Sequence, residues 1–488
     1  MTEPDRGVFA DDYRAVLDKL RREIRRLYLS RDSTWVIAYS GGKDSTATLQ
    51  LVWSALSELS ADELRNPIEV VSVDTGVENP IVRDRMNESI LEIQHAAEVA
   101  GLPLNAHVLK PHIDDSFWVN LIGRGYPTPG PRFRWCTDRL KIQPTETFLR
   151  QTVAGQNEVI LVLGSRSDES AARAETLSSR DHLLRGRALR LYDRSPGTLL
   201  YTPIEQWTTD DVWLYLLQEP NPFGMENEAL LDLYRGASPD HECPVVADTA
   251  TPSCGKSRFG CWVCTVVSED RSMGAMIRNE RSYEWMCPLL ELRDELARRD
   301  PRHRGVRRED GRARLRKGEA VRGPYDQEGR AYWLRRVLQT QRAIAERVPD
   351  DVEHAELVSL EELEEIRRIW VIEKHEIDDR LPLIWQEEMD EPYPGATLDD
   401  AIPFDREELE LLDQSLPDCP ECFELVCSLL EVERQYRTKV RRAGLFEALD
   451  DKIREHFRRD DLAIDRAHRE EDALQGAATS DKAQDHGS

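Results

Sequence analysis

The chain has 488 residues, a formal net charge of −26 and 40% hydrophobic residues. This apolar content excludes an intrinsically disordered chain, and the length predicts about three domains. The acidic balance argues against a protein that coats DNA by bulk electrostatics, since each neutralised phosphate requires a cation. No apolar run approaches the roughly 20 residues of a membrane span, and the charged N-terminus has no secretory signal, so we expect a cytoplasmic protein with no membrane contact.

The first half of the chain alternates apolar runs with amphipathic stretches. Predicted strands cover residues 35–39, 68–73, 104–109 and 159–164, and predicted helices cover 11–28, 47–59, 79–100 and 208–217. This alternation predicts βαβ units and a doubly wound parallel sheet, which is an α/β fold class. Ligands of such sheets bind at the carboxyl ends of the strands.

The pattern changes further along the chain. Residues 220–256 are rich in Pro, Gly and Asp, which favours loop, and the chain from residue 288 is charged and helical in pattern. Ser359 and Glu362 form a capping box that opens a helix predicted to run through residue 375. We therefore predict an N-terminal helix (1–30), a nucleotide-binding α/β domain (31–217), a cysteine-cluster segment (218–290), a charged, mainly helical region (291–470) and a disordered tail (471–488).

The motif SGGKDST, Ser40 to Thr46, lies between a predicted strand and a predicted helix. Glycines let backbone N–H groups approach a phosphate, and the helix N-terminus favours an anion. Lys43 can neutralise phosphate charge, while the hydroxyl side chains can donate hydrogen bonds. The spacing is not that of a Walker A loop. The alternative is a glycine-containing turn with an ordinary helix cap.

Two further segments follow predicted strands. Asp74, in DTGVE, can hold Mg²⁺ or a ribose hydroxyl, or it can simply form a turn at a strand end. Arg166 and Arg173, in GSRSDESAAR, suit bidentate phosphate contacts, and a surface ion pair is the alternative. Both segments fall at strand ends, where the predicted sheet places its ligand.

Nine cysteines in a reducing compartment indicate metal or redox chemistry more than disulfides. Cys254, Cys261 and Cys264 follow a C-x6-C-x2-C spacing, and Cys136 precedes them in RWCTDRLKIQP. Four thiolates can bind a [4Fe–4S] cluster or a structural Zn²⁺. One C-x2-C pair with separated further ligands favours the cluster, and buried free thiols are the remaining alternative.

The other cysteines and one basic stretch carry weaker signals. Cys243 and Cys287 are possible alternative ligands. Cys419, Cys422 and Cys427 favour a structural role over a sulfur-relay dithiol. Residues 291–323 contain twelve basic and seven acidic residues, a net charge of +5 in an acidic chain. This stretch is either a contact surface for DNA or a partner, or a solvated segment with internal ion pairs.

SGGKDST resembles the PP-loop of the adenine nucleotide α-hydrolase superfamily, and DTG and G-x-R-x-x-E-S-x-x-R resemble segments of its PAPS reductase group. The family resemblance becomes more specific when three further segments are included: RWCTDRLKIQP, PSCGKSRFGCWVCTVV and the later RGPYDQEGRAYWLRRVLQTQ. The combination resembles the DndC family, the sulfurtransferases of DNA phosphorothioation, a restriction–modification type of phage defence. The SspD family of the related single-strand modification system is a close second.

The resemblance implies replacement of a DNA phosphate oxygen by sulfur, with ATP cleaved to AMP and pyrophosphate. It implies ATP, Mg²⁺ and a [4Fe–4S] cluster as cofactors, DNA presented by other Dnd-type modification proteins, and a cysteine desulfurase as sulfur donor. Lys43, Asp44 and Asp74 would be catalytic, and Cys136, Cys254, Cys261 and Cys264 would hold the cluster. The implied nucleotide-binding residues are Ser40, Gly41, Gly42, Lys43, Asp44, Ser45, Thr46, Asp74, Thr75, Arg139, Lys141, Gly164, Arg166 and Arg173.

Three other functions compete with this interpretation. A PAPS or APS reductase commonly has a catalytic cysteine in a short C-terminal motif, whereas the last residues here, QGAATSDKAQDHGS, contain none. An RNA thiolase shares the PP-loop and the cluster but usually shows two C-x2-C pairs or an RNA-binding domain. A non-catalytic nucleotide-binding subunit of a defence complex is the third alternative, and the intact SGGKDST motif argues against it.

Overall fold

The computed structural model describes residues 7–9, 12–131, 133–155, 158–169, 188–192, 194–238, 259–300, 302–306, 312–349, 352, 356–374, 376, 378–396, 406–416, 420–437, 444–456, 464 and 467–469. The chain divides into two compact units. The first comprises Met1–His112, Pro129–Asp294 and Arg347–His354, and the second comprises Ile113–Thr128, Glu295–Glu346 and Ala355–Ser488. The predicted disordered tail, residues 471–488, lies outside the described residues.

The first unit is built on a six-stranded sheet in the order β3-β2-β1-β4-β6-β5. Neighbouring strands are parallel except β5, which runs antiparallel to β6. The strands are β1 (Thr34–Ala38), β2 (Ile68–Val73), β3 (Leu104–Leu109), β4 (Val159–Val162), β5 (Leu189–Leu191) and β6 (Thr198–Tyr201). This mostly parallel sheet with flanking helices confirms the predicted α/β class.

Helices cover both faces of the sheet, and the bounds follow local capping signals. The helices of this unit are α1 (Tyr13–Leu29), α2 (Lys43–Leu56), α3 (Pro80–Ala100), α4 (Gln143–Gly155), α5 (Thr209–Gln218), α6 (Asn227–Gly236), α7 (Arg271–Asn279) and α8 (Cys287–Ala297), whose end enters the second unit. The Asn79 side chain caps α3 by accepting from the Ile81 N–H, and Pro80 occupies the first turn, where no N–H is needed. Gly101 ends the helix in the left-handed region at φ 67°.

The two sheet faces bury separate hydrophobic clusters because side chains alternate along each strand. Along β1, Trp35 and Ile37 pack into the larger cluster with α1, α2 and α3. Val36 points to the other face, where it joins Leu149 of α4. Both faces are covered, so β1 and β4 read as continuous apolar runs, as buried parallel strands do.

Two parts of the first unit differ from the sequence prediction. Residues 220–256 are expected to be loop, but Asn227–Gly236 form α6, which buries Leu230 and Tyr234. The apolar spacing is helical there, and the surrounding Pro and Gly residues obscured it. The short strands β5 and β6 were also missed, because three or four residues carry too little periodicity to indicate a strand.

The second unit is mainly helical. Its helices are α9 (Gln327–Ala345), α10 (Leu360–Arg368), α11 (Arg380–Met389), α12 (Arg406–Ser415), α13 (Pro420–Arg437) and α14 (Leu445–His456). Ser359 and Glu362 form the predicted capping box of α10, and a π-helical turn, Ile369–Glu373, extends that helix almost as far as expected. The unit also contains a small hairpin, β7 (Leu315–Arg316) and β8 (Glu319–Ala320), which the prediction lacked. No described helix is long and apolar enough to cross a membrane.

Candidate nucleotide and sulfur site

The PP-loop, Ser40–Thr46, connects the carboxyl end of β1 to the first turn of α2. Gly41 has φ 71°, a left-handed conformation that glycine adopts without strain. Gly42 is the N-cap of α2, and Lys43 is its first residue. The Ser45 hydroxyl donates to the Gly42 carbonyl at 3.0 Å and accepts from the Ser40 N–H at 3.2 Å. These bonds fold the loop around the helix N-terminus, which favours an anion.

Asp44 joins two cations beside the PP-loop. Its Oδ2 lies 2.9 Å from the Lys43 Nζ, and its Oδ1 accepts from the Arg166 Nε at 2.7 Å. The Lys43 side chain is buried and also lies over the Tyr234 ring, with its Nζ 5.6 Å from the ring centre. The Tyr234 hydroxyl accepts from the Lys43 backbone N–H at 3.4 Å. Lys43 is thus held in place before any phosphate binds.

Arg166 is 2% exposed and donates to several groups around it. Besides Asp44, its guanidinium binds the Trp207 carbonyl at 3.1 Å, Asp168 at 3.3 Å and the Thr209 hydroxyl at 3.2 Å. Arg166 therefore holds Asp44 in place and connects it to Asp168, Trp207 and Thr209. Its predicted bidentate contact with phosphate would require some of these bonds to break.

Gly164, after β4, is required for close packing against α2. A Cβ atom at this position would lie 2.8 Å from the Asp44 carbonyl oxygen and 2.9 Å from the Thr48 hydroxyl. Real Cβ atoms do not approach so closely, so the strand end and the first turn of α2 fit together only with glycine. This contact brings the Arg166 segment to the PP-loop.

The turn after β2, Asp74–Glu78, places a partly buried carboxylate, that of Glu78, at the cavity. Asp74 accepts from the Gly76 N–H at 2.9 Å, and Gly76 has φ 75°. Glu78 accepts from the Thr75 N–H at 2.9 Å, and its Oε1 lies 3.8 Å from the Lys141 Nζ. Burial raises the pKa of the Glu78 carboxyl, and the nearby Lys141 ammonium opposes that shift.

The cysteine loop, residues 259–268, is held by contacts from distant parts of the first unit. The Trp262 N–H donates to the Val77 carbonyl at 2.9 Å, and the Thr265 hydroxyl donates to the Pro129 carbonyl at 2.6 Å. Arg293, fully buried, donates to the backbone carbonyls of Cys264, Val267 and Ser268. The loop places Cys261 beside the turn after β2, with its sulfur 3.6 Å from the Thr75 hydroxyl.

Lys141 connects the thiols to the cavity. The Cys261 thiol beside it is the main cause that raises the pKa of the Lys141 ammonium, and Glu78, Cys136 and Cys264 add to the shift. Burial raises the pKa of Cys261 to about 11, and burial followed by the neighbouring Cys264 raises that of Cys136. The three predicted ligand cysteines that the structure describes therefore share one electrostatic environment.

No group of three or more His, Cys, Asp or Glu side chains has metal-binding geometry among the described residues. The fourth predicted ligand, Cys254, lies outside them, as do Arg173, Cys243 and Cys419. Cys287 is half-buried at the start of α8, and Cys427 packs with Leu409 and Phe423 in the second unit.

A cavity of about 940 Å³ lies at the carboxyl ends of the strands in the first unit. Its volume is within the range of small-molecule and cofactor sites. The lining includes apolar ends of β1, β2 and β4 together with polar groups from several elements. The residues that carry charge or bind the loop there are Ser40, Gly41, Gly42, Lys43, Asp44, Ser45, Glu78, Arg83, Arg85, Lys141, Gly164, Arg166 and Asp168.

Of the predicted site residues, the cavity lining in the described part of the chain includes Ser40–Ser45, Lys141, Gly164 and Arg166, but not Thr46, Cys136, Cys261 or Cys264. Asp74 and Thr75 belong to the turn that carries Glu78, although the cavity lining in the described part of the chain includes neither. Arg139 is half-buried in the π-helical turn Asp138–Ile142 and also falls outside that lining. Glu78, Tyr234 and Arg293 were missed. Only Glu78 had a local signal, since it stands three residues after Thr75.

Residues 34–267 match the family model of the phosphoadenosine phosphosulfate reductase domain. The match covers just under half of the chain, and most of it falls in the first unit. Two uncharacterized proteins of Methanocaldococcus jannaschii are similar to the chain. One is 25% identical over 55% of this chain and 44% of its own length. The other is 27% identical over 37% of this chain and 34% of its own length. The chain thus spans less than half the length of either relative.

Solved structures show weaker likeness. The phosphoadenylyl-sulfate reductase of Candida auris is 14% identical, with a TM-score of 0.27 over 44% of this chain and 89% of that one. The U34-tRNA thiolase NcsA of Methanococcus maripaludis, solved with its [4Fe-4S] cluster, is 14% identical, with a TM-score of 0.27 over 45% and 72%. At such low TM-scores neither likeness bears on the function.

Proposed function

We propose that the protein is an ATP-dependent sulfurtransferase of DNA phosphorothioation, with ATP pyrophosphatase activity. The observation that carries the proposal is the joint lining of one cavity by the PP-loop and by Lys141 and Glu78. Lys141 interacts electrostatically with Cys136, Cys261 and Cys264. A phosphate-binding loop and a group of thiols beside the same cavity suit a reaction that activates a phosphate and then delivers sulfur to it.

The PP-loop end of the cavity would bind the ATP phosphates. Lys43 supplies a positive charge, and the amino end of α2 supplies the helix dipole. Asp44 and the Tyr234 ring already fix the Lys43 side chain, so little side-chain order remains to be imposed when the nucleotide binds. Mg²⁺ would enter with the nucleotide, and Asp74, at the end of β2, is its candidate protein ligand.

The reaction balances in two steps. A non-bridging oxygen of the DNA phosphate attacks the α-phosphorus of ATP, which forms a mixed anhydride with AMP and expels pyrophosphate. Hydrosulfide then attacks the DNA phosphorus, the bond to AMP breaks, and the proton on sulfur is lost to solvent. The products are phosphorothioate DNA, AMP and pyrophosphate. Lys43 offsets the negative charge that develops in the first step, which is the main demand on such a site.

The thiols fit a sulfur-handling group at the other end of the cavity. Cys136, Cys261 and Cys264 share one electrostatic environment, and thiolates are the ligands that iron–sulfur clusters prefer. These three residues, with Cys254, would supply the four thiolates that hold a [4Fe–4S] cluster beside the cavity. A cysteine desulfurase with a thiol reductant would provide that sulfur in the cytoplasm, and other Dnd-type proteins would present the DNA.

The test uses cells that express the chain together with a desulfurase and the partner modification proteins. Their DNA is digested, and phosphorothioate-linked dinucleotides are measured by mass spectrometry. AMP formation by the purified proteins is followed with α-labelled ATP. We expect Lys43→Ala to lower both products at least about 100-fold, because it removes the phosphate-binding charge. The control is Lys19→Ala, on the exposed face of α1. Unchanged DNA sulfur in Lys43→Ala, or sulfur incorporation without AMP, would sink the proposal.

The ligand assignment has its own experiment. Protein purified without oxygen is examined for iron, zinc and charge-transfer absorbance. We expect Cys136→Ser, Cys261→Ser and Cys264→Ser each to lose most of the iron, whereas Cys287→Ser keeps it. Cys287 is the matched control because it is also a half-buried free thiol. A colourless protein with stoichiometric zinc would refute the cluster and leave the nucleotide site standing.

The match of residues 34–267 favours one second candidate, a reductase of an adenylyl sulfate. That enzyme would release sulfite from a phosphosulfate nucleotide and would need no DNA. Incubation of the purified chain with phosphoadenylyl sulfate and a dithiol separates the two functions. Sulfite at a rate that Lys43→Ala abolishes, with no phosphorothioate formed in cells, would favour the reductase.

A further inference from the structure

The basic stretch noted in the sequence contains a small structural element in the second unit. We define the basic ribbon as residues 312–322, the hairpin formed by β7 and β8 with its flanks. It contains five basic residues and one acidic residue in a chain whose net charge is −26. The turn is built by Lys317 and Gly318, with φ 55° and 78°, which is the pairing of left-handed residues that tight hairpins require.

Alternation along the ribbon puts its cations on one face. Arg312, Arg314 and Arg316 are exposed, whereas the intervening Ala313 and Leu315 are half-buried. Successive arginines on this face are two residues apart, or roughly 7 Å in an extended strand. That interval is comparable with the separation of neighbouring phosphates along a nucleic acid strand. The ribbon therefore presents a row of guanidinium groups at a spacing suited to a phosphate backbone.

The cations at the tip are available to a ligand. Among the described residues, Arg314, Arg316 and Lys317 have no ion-pair partner, in contrast to Arg302, which binds Asp300 nearby. An unpaired arginine can make bidentate contacts with a phosphate without first losing a carboxylate. These three cations favour a contact surface at the tip, although Arg293 and Arg302 of the same stretch pair with Asp294 and Asp300.

The base of the ribbon is fixed. Arg304 donates to the carbonyls of Gly323 and Arg322 at 2.9 and 2.8 Å, and its guanidinium lies over the Tyr325 ring. The Gly305 N–H donates to the Pro324 carbonyl at 3.0 Å. The ribbon is thus a supported projection, so its cations can be ordered on a ligand at less entropic cost than those of a free tail.

We propose that the basic ribbon is a contact surface for the phosphate backbone of duplex DNA. A phosphate backbone is inferred as the ligand from charge complementarity and from the phosphate-like spacing of the arginines. The choice of DNA rests on the proposed function. The contact is independent of base sequence, since guanidinium groups that bind phosphates position a duplex without reading it. The ribbon would therefore supply affinity locally, while the acidic remainder of the surface keeps overall binding weak and dependent on salt.

The experiment titrates the full chain against a fluorescein-labelled DNA duplex and follows anisotropy at several salt concentrations. The ribbon variant is Arg314→Gln/Arg316→Gln/Lys317→Gln. The matched control, Arg14→Gln/Lys19→Gln/Arg22→Gln, removes three exposed cations of α1 that have no ion-pair partner in the described part of the chain, and it changes the net charge equally. We expect the ribbon variant to lose roughly ten-fold or more in affinity, and the slope of log K against log salt to fall by about 2 to 3. The control should change less than about two-fold, as expected for charges outside the contact.

Three results would overturn the proposal. They are equal binding by the ribbon variant and the parent, an equal loss in the control, and ribbon-dependent binding to anionic lipid vesicles without binding to the duplex. Melting temperatures and circular dichroism check that the variants fold. The single substitution Arg316→Gln, expected to lower the slope by about one, keeps the test valid if the triple variant is unstable.

The ribbon and the proposed function can fail separately. Binding of a fluorescent ATP analogue in the absence of DNA should be unchanged in the ribbon variant. If the parent chain forms no phosphorothioate but its duplex binding depends on the ribbon, the sulfurtransferase proposal fails and the contact-surface proposal stands. If the chain modifies DNA but its duplex binding does not depend on the ribbon, only the contact-surface proposal fails.

Discussion

The PP-loop and the cysteine loop both contribute to the lining of the cavity but differ in where their supporting contacts originate. The bonds that fold the PP-loop join Ser40, Gly42 and Ser45, which are neighbours in sequence. The cysteine loop depends on Val77, Pro129 and Arg293, which lie far from it along the chain. A contiguous loop of this kind can form as soon as α2 forms, whereas the cysteine loop requires the assembled unit.

The difference has a consequence for the two halves of the proposed reaction. The nucleotide end should tolerate damage to the cysteine loop, because the bonds that fold the PP-loop are local and its distant supports, Arg166 and Tyr234, lie outside the cysteine loop. The thiol end should fail whenever any of its distant supports is removed. Binding of ATP and retention of metal are therefore expected to separate in suitable variants, and the predictions below use that separation.

The largest effect is expected for Arg293→Leu. This substitution removes the charged donor of three partly buried backbone carbonyls of the cysteine loop, and a hydrogen bond to a charged group contributes about 1.5–3 kcal/mol. We expect the free energy of unfolding in urea to fall by about 4 kcal/mol and the metal content to drop. Arg298→Leu, an exposed arginine on the same chain segment, is the control and should change stability by less than about 0.5 kcal/mol. A full metal content in Arg293→Leu would show that the loop does not need this support.

A smaller effect, confined to the nucleotide end, is expected for Gly164→Ala. The added methyl group would lie 2.8 Å from the Asp44 carbonyl oxygen, so β4 and α2 must move apart. We expect a loss of stability of about 1–3 kcal/mol and weaker binding of a fluorescent ATP analogue, with the metal retained. Gly236→Ala is the control, because a Cβ atom there meets nothing within 4 Å. Equal ATP binding in both variants would contradict the close-packing role of Gly164.

The same contrast between local and distant contacts explains which features could be predicted. Strand β1, the PP-loop and α2 are adjacent in sequence, so their apolar run, glycines and helical pattern specified the nucleotide end directly. Cys136 and the Cys261–Cys264 pair could be grouped by their chemistry and by family resemblance. Tyr234 and Arg293 could not be predicted, because Lys43 lies 191 residues from Tyr234 and the carbonyls that Arg293 binds lie 25 to 29 residues from it. Helix α6 was not predicted because the Pro- and Gly-rich residues on either side of it indicate loop.

The smallest effect concerns the connection between the two regions, and Glu78→Gln tests it. The amide oxygen can still accept from the Thr75 N–H, so the turn after β2 should persist, but the negative charge 3.8 Å from the Lys141 Nζ is lost. Glu78 acts as a positioning residue for Lys141. We expect metal content and ATP binding to be unchanged and DNA sulfur incorporation to fall about ten-fold, the equivalent of about 1.4 kcal/mol. Pyrophosphate formation, which reports the first step, should fall less than sulfur incorporation, a split that mere destabilisation would not produce. Glu69→Gln is the control, since Glu69 is also a partly buried carboxylate, paired with His107 on the same sheet. An equal fall in pyrophosphate formation and sulfur incorporation would assign Glu78 to the nucleotide end of the cavity alone.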